Sequence, residues 1–263
     1  FCTQNTPWCG TMRSIVASLL LLSSSASAFY IPGVQPQTFS SGDEVPLKVN
    51  AMTSIHTQIP KDYYRLPFCQ PAKGPSMASE NLGEFLTGNK IQSSVYVLNM
   101  LTEVHCNRIC QVNLAKTEAM KLKLHIKYGY HNNWIIDNLP SAAVGLTAKG
   151  ERQKHYAGGF PIGFIATDSG EAYIYNHVTI IVEYHQVDPN VEGYRVVGFA
   201  VEPMSIKHEF QGGYIWDGDE IEGWNKALTT CTPGEIMDRK SIRANQIVRS
   251  GESILYTYDV TWK

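Results

Sequence analysis

Charge is scarce in this sequence of 263 residues: 17% are Asp, Glu, Lys or Arg, and the net charge is -2. With no excess of positive charge and no basic tract, nucleic acid is not an expected partner. Long hydrophobic runs are also missing. After Ala28 no stretch reaches the ~20 apolar residues that a spanning helix needs. No Asn-x-Ser/Thr acceptor occurs in that part of the chain, so N-glycosylation is not expected. Sequence signatures of catalysis are lacking as well. There is no G-x-S-x-G, no H-E-x-x-H, no P-loop and no dinucleotide glycine fingerprint. An enzyme is therefore not expected, and neither is a cofactor, a metal or a small-molecule substrate.

What is present begins with a leader. Met12 and Arg13 form a short positive start, residues 15–22 an apolar run, and Ala26-Ser27-Ala28 a small-x-small cleavage site. These features predict a signal peptide cleaved after Ala28, with Met12 as initiator and residues 1–11 as upstream sequence. Residues 29–263 then form one lumenal domain. Cys2 and Cys9 leave with the leader, so Cys69, Cys106, Cys110 and Cys231 remain. Four cysteines in an oxidising lumen are the expected material of two disulfides, with three connectivities open. A zinc site built on His105, Cys106 and Cys110 is the less favoured alternative, since only one cysteine pair is close in sequence.

Strand patterns dominate the rest of the chain. Val45, Leu47 and Val49 alternate with polar residues, and Pro46 suggests an edge position. Residues 174–184 are β-branched and aromatic, with Val178, Ile180 and Val182 on one face. Residues 194–201 form another such run, and residues 254–260 a third in which Tyr256 and Tyr258 share a face. Asp188-Pro189-Asn190 and Gly212-Gly213 punctuate them as turns. The expectation is a mainly β, antiparallel sandwich-like domain with one or two short helices. In residues 116–130 strand alternation competes with helical spacing of Ala115, Ala119, Leu122 and Ile126. The Ala, Lys, Glu, Met and Leu content favours the helix.

Chemistry-bearing residues are scattered. His177 and His185 lie eight apart on one strand, too far for an i, i+2 metal pair, and read as packing or polar-face histidines. Glu80 and Glu84 have helical spacing but sit in a turn-like context. Asp217, Asp219, Glu220 and Glu222 beside Trp216 and Trp224 read as a solvated loop rather than a calcium site. Gly158-Gly159-Phe160-Pro161-Ile162-Gly163 reads as a tight turn feeding a strand, because Pro161 removes a donor that a phosphate cradle needs.

Several segments together resemble one family. They are Phe29-Tyr30-Ile31-Pro32-Gly33-Val34, Gly42-Asp43-Glu44-Val45-Pro46-Leu47-Lys48-Val49-Asn50, Tyr63-Tyr64-Arg65-Leu66-Pro67-Phe68-Cys69 and Ser79-Glu80-Asn81-Leu82-Gly83-Glu84. Further on come Trp134-Ile135-Ile136-Asp137-Asn138-Leu139-Pro140, Gly159-Phe160-Pro161-Ile162-Gly163, Tyr175-Asn176-His177, residues 194–208, Leu228-Thr229-Thr230-Cys231 and Tyr256-Thr257-Tyr258-Asp259-Val260. In order and spacing the set is similar to the N-terminal lumenal domain of the nonaspanins, the transmembrane 9 superfamily or endomembrane protein 70 family. The resemblance implies a β-sandwich lumenal domain with a short helix before the Trp134 strand. It also implies nine membrane spans, C-terminal to the lumenal domain, in a Golgi or endosomal protein. It implies a role in sorting membrane-protein cargo, including proteins with glycine-rich spans, and in adhesion, and it implies no enzymatic activity. On this reading the sequence stops at Lys263, short of the first span. The alternative is a freestanding secreted sandwich that recognises a glycan or a protein, with Trp216 and Trp224 as candidate contacts.

Overall fold

The computed structural model describes residues 35–78, 90–147, 149, 151–156, 158–188, 191–215, 226–232, 234–237 and 244–263. The expected leader and cleavage site, Glu80 and Glu84, and residues 216–224 with their acidic and tryptophan side chains lie outside the described residues. From Pro36 onward the chain forms one compact unit. Its elements in chain order are β1 (Leu47–Thr53), β2 (Gln92–Ser93), β3 (Val104–Asn113), α1 (Lys116–Lys127), β4 (His131–Ile136), β5 (Leu139–Pro140), β6 (Ala142–Leu146) and β7 (Arg152–His155). Then follow β8 (Phe160–Pro161), β9 (Gly163–Ile165), β10 (Ala172–Ile174), β11 (His177–Asp188), β12 (Val191–Met204) and β13 (Ser253–Trp262).

Two sheets enclose the main core, with a two-stranded β9/β10 ribbon beside them. The smaller sheet runs β2-β1-β4-β5, with β8 also on β4; the larger runs β3-β13-β11-β12-β6-β7. Leu47, Val49, Trp134 and Ile136 from the first meet Val178, Ile180, Phe199, Tyr256 and Tyr258 from the second in one buried cluster. The expected sandwich-like β architecture is thus present, and the facing alternation along β11 and β13 supplies it.

Three features differ from the sequence reading. The large sheet is mixed, because β13 lies parallel to β11 and β12 parallel to β6. Local alternation carries no information about which distant strand inserts where. Strand β1 is internal, flanked by β2 and β4, and Pro46 sits just before its first residue, where a missing N–H costs no ladder bond. Finally, the run 174–184 is broken after Ile174. Asn176 turns its amide inward, donating to the Ile206 and Leu255 carbonyls at 2.8 Å each and accepting from the Ile206 N–H at 2.9 Å.

The ambiguous segment is a helix. Ala119, Leu122 and Ile126 are its buried face, the Glu118 carboxylate accepts the Ala115 N–H at 3.0 Å, and His125 and Lys127 sit in the last turn. It docks closely on β9 and β10 because Gly163 has no side chain: a Cβ there would lie 2.2 Å from the Tyr173 carbonyl oxygen and 2.9 Å from Ile126. The β4–β5 hairpin turns on Asp137 and Asn138 with φ of 45° and 63°, the two positive values of a type I′ turn.

Candidate functional site

The cysteines pair as Cys69–Cys110 and Cys106–Cys231, with Cα–Cα distances of 5.8 and 5.6 Å. Both pairs are non-local, and the zinc alternative is excluded because Cys106 and Cys110 are committed to different bridges. Four residues apart on a regular strand, these two cysteines would share a face. They do not, because β3 carries an extra residue between them. Arg108 opposes Thr257 and Cys110 opposes Tyr256, so Ile109 is unmatched and the parity flips. Cys110 therefore faces the main core, whereas Cys106 faces a second buried cluster with Met204, Ile206, Leu228, Cys231, Met237 and Leu255.

A second irregularity lies opposite Asp259. Cys106 has φ of 51°, a left-handed value rare for a side-chain-bearing residue. Its N–H leaves the strand ladder and donates to Asp259 Oδ1 at 2.7 Å. The other carboxylate oxygen accepts the Met237 N–H at 2.9 Å and faces His177 Nε2 at 3.4 Å. From there a line of side chains runs outward. His177 Nδ1 is 2.8 Å from Thr257 Oγ1, which is 2.9 Å from His208 Nε2, and His208 Nδ1 is 3.0 Å from Thr230 Oγ1. Thr230 can donate to His208, His208 to Thr257 and Thr257 to His177, while the His177 Nε2 edge faces Asp259 without closing a hydrogen bond.

Burial pushes the His208 imidazole down to about 3, and nearby His177 and Arg108 push in the same direction. Burial alone would raise the Asp259 carboxyl. The His177 ring and the Met237 and Cys106 amides outweigh it and hold the group below the usual carboxylate range. The order carboxylate, imidazole, hydroxyl is that of a nucleophilic triad. Here, however, Asp259 and His177 are fully buried and Thr257 is 1% exposed, so no substrate reaches the hydroxyl. What the line does is pin the segment containing Thr230, Cys231 and Met237 onto the large sheet.

The outer end of the line opens on a cleft of about 560 Å³. His208, Phe210, Tyr214 and Leu255 line it, Lys207 and Glu252 are among its charged groups, and Ile215 stands 84% exposed beside them. Phe210 and Tyr214 meet edge-to-face at 5.5 Å; Arg108 lies 5.8 Å from the Phe210 ring centroid and Lys226 5.2 Å from that of Tyr214. The arrangement offers an aromatic floor with both signs of charge around it, suited to contact with a peptide or protein surface.

The histidines singled out by spacing part company: His177 is buried in this line and His185 is exposed. His208, Thr230, Thr257 and Asp259 were not legible as a group. A partial signal existed, since Thr257 and Asp259 alternate with core tyrosines on a strand buried on both faces. Among the described residues no group of three or more His, Cys, Asp or Glu side chains is placed to hold a metal ion, and no helix is long and apolar enough to cross a membrane.

The site has a measurable consequence in acid. As pH falls below 6.5 the unfolded chain binds a proton at His208 that the folded chain refuses until about pH 3. Stability is thus expected to fall by up to about 1.4 kcal/mol per pH unit across that window. Asp259 adds to the loss at the acid end, because a depressed carboxyl stabilises only while it is ionised. Urea midpoints measured between pH 7 and pH 4 check this, and His208→Asn should flatten the slope.

The sequence model of the family described as Endomembrane protein 70 matches residues 60–263. Transmembrane 9 superfamily member 10 of Arabidopsis thaliana is 36% identical over 261 residues, covering 96% of this chain and 39% of that protein. Transmembrane 9 superfamily member 4 of Homo sapiens is 37% identical over 264 residues, 94% of this chain and 38% of its own. A Dictyostelium discoideum protein named putative phagocytic receptor 1a is 32% identical over 248 residues, 89% and 36% respectively. The chain thus spans well under half the length of these relatives, and no solved structure matches it. With three quarters of its residues matched by the family model, and with relatives that share the name, the chain belongs to the endomembrane protein 70 family, the transmembrane 9 superfamily.

Proposed function

We propose that this chain is the lumenal part of a multi-pass endomembrane protein of the Golgi and endosomes, and that it contacts membrane-protein cargo during sorting. The observation that carries the reading is the cleft beside His208. An aromatic floor with exposed Ile215 at its mouth is backed by a segment fixed through a disulfide and a buried carboxylate. Such a rigid, partly apolar recess suits an extended lumenal segment of another protein better than a small polar solute. Membership of a membrane-protein family supplies the context, and two disulfides fit an oxidising lumen.

The test uses the full-length membrane protein in cells lacking it. The readout is surface delivery of a reporter with glycine-rich spans, followed by flow cytometry. The Ile215→Asp variant is expected to leave the reporter at the level of cells without the protein, while its own abundance and membrane fractionation stay normal. Full delivery by Ile215→Asp combined with Lys207→Glu would reject the cleft as the contact. Recovery of the natural protein from the medium rather than from membranes would favour the freestanding secreted domain instead.

A further inference from the structure

A second cleft, remote in sequence from the first and on the outer face of the smaller sheet, has a different chemistry. It measures about 340 Å³, and none of the described residues that line it is charged. Its floor is set by strand pairing. Asn50 of β1 opposes Asn133 of β4, and Ile135 opposes Pro140, so these side chains share a face, while Trp134 and Ile136 point the other way into the core. Tyr156, 61% exposed, and Gly159 contribute to the wall. Gly159 is required there: with φ of +70°, a Cβ would lie 2.0 Å from the Asn132 carbonyl oxygen and 2.7 Å from Asn133 Oδ1.

The amides of the floor are half used. Asn133 spends its Nδ2 on the Ala51 carbonyl at 2.7 Å and Thr53 Oγ1 at 3.0 Å, and Asn50 spends its Oδ1 on the Ala51 N–H at 2.7 Å. That leaves the Asn133 acceptor and the Asn50 donor as a neighbouring pair with no hydrogen bond to any described residue. Ser141, another lining residue, is 2% exposed, and its Oγ is buried without a partner. A buried hydroxyl left unpaired is costly and is normally satisfied by a solvent molecule or a ligand.

We infer that this cleft binds a neutral saccharide unit. A paired amide donor and acceptor match a sugar hydroxyl, which is both acceptor and donor. The Tyr156 ring and the Ile135 and Pro140 side chains offer apolar surface to the C–H face of a pyranose, and Tyr can bond through its phenol as well. The absence of charge in the lining disfavours phosphates, carboxylates and cations, which would be desolvated without compensation. A volume near the lower end of the roughly 300–1,000 Å³ range of ligand sites suits one ring or a glycan terminus rather than a long chain. The saccharide cleft stands apart from the proposed cargo cleft and does not depend on it.

The test is saturation-transfer NMR on the full chain produced in a secretory host. The probes are the methyl glycosides of mannose, galactose and N-acetylglucosamine, with sialic acid as the charged comparison. At least one neutral glycoside should receive saturation at millimolar concentration, and sialic acid should not. Tyr156→Ala and Asn50→Ala should each weaken the binding about tenfold, the loss expected from one stacking face or one hydrogen bond. Their melting temperatures should match the parent, whereas Ile215→Asp in the other cleft should leave binding unchanged. No transfer to any neutral glycoside, preference for sialic acid, or undiminished binding in both cleft variants would overturn the assignment.

Discussion

Replacing Cys106 and Cys231 together by alanine is expected to lower stability by about 5 kcal/mol, the loop-closure entropy released when a 125-residue ring is opened in the unfolded chain. The corresponding change at Cys69 and Cys110 opens a 41-residue ring and is expected to cost about 4 kcal/mol. Domains commonly hold only about 5–15 kcal/mol in reserve, so either loss consumes a large share. The two variants should also fail differently. Cys69–Cys110 joins the segment carrying Phe68 to β3 inside the main core, where Phe68 stacks on Tyr63 at 4.6 Å and Tyr256 donates to the Pro67 carbonyl at 3.0 Å. Those contacts hold the segment even without the bridge. The segment around Cys231 depends on a smaller buried cluster, so loss of its bridge should expose it to proteolysis before global unfolding. Urea titration, limited proteolysis and non-reducing peptide mapping read all three points; a free thiol at Cys69, Cys106, Cys110 or Cys231 of the parent would contradict the pairing.

Asp259→Ala is expected to cost about 3–5 kcal/mol, because it strands two buried backbone donors, Cys106 N–H and Met237 N–H, and removes the partner of His177. Asp259→Asn should cost less, since its remaining carbonyl oxygen can still accept one of the two amides. The Ala effect should not add to that of the Cys106/Cys231 variant. Both changes release the same segment at the same bulge, so the double variant should be less damaged than the sum. Full additivity in urea melts would show that carboxylate and disulfide act on separate elements, contrary to the geometry. The Asp259→Ala variant should also lose part of the steep acid dependence attributed to His208, because loosening the pinned segment would admit more water to its partly buried ring.

Much of the architecture was legible because burial follows period. Val178, Ile180 and Val182 alternate toward the main core, and Tyr256 and Tyr258 do the same on β13. Helical spacing of Ala119, Leu122 and Ile126 outweighed the competing alternation for a physical reason: these three are the residues the helix buries, while Leu124 on the alternate pattern is 51% exposed. Pro46 misled because a proline at the start of a strand and one along an edge look alike in sequence; only the position of β2 and β4 separates them.

The candidate sites were less legible. His177, His208, Thr230, Thr257 and Asp259 come from well-separated segments, with His177 and Thr257 alone 80 residues apart, and the bulges that bring them together leave no mark in residue type. Neither Ile109 nor Cys106 is a glycine that would announce a kink. The Asn50–Asn133 pair is hidden for a similar reason, since register across β1 and β4 decides that the two amides share a face.

By itself the sequence determined the β-rich composition, the helix, the core faces of the long strands and the family, because these rest on local period, propensity and ordered motifs. It also supplied four cysteines without their partners. The tertiary structure alone decided the pairing, the mixed sheet order and the polar line from Asp259 to His208. Each of these depends on which distant strands become neighbours and on a one-residue slip within β3. A single unmatched residue turns Cys106 and Cys110 to opposite faces, and from that parity come both disulfides and the pinned segment beside the cleft.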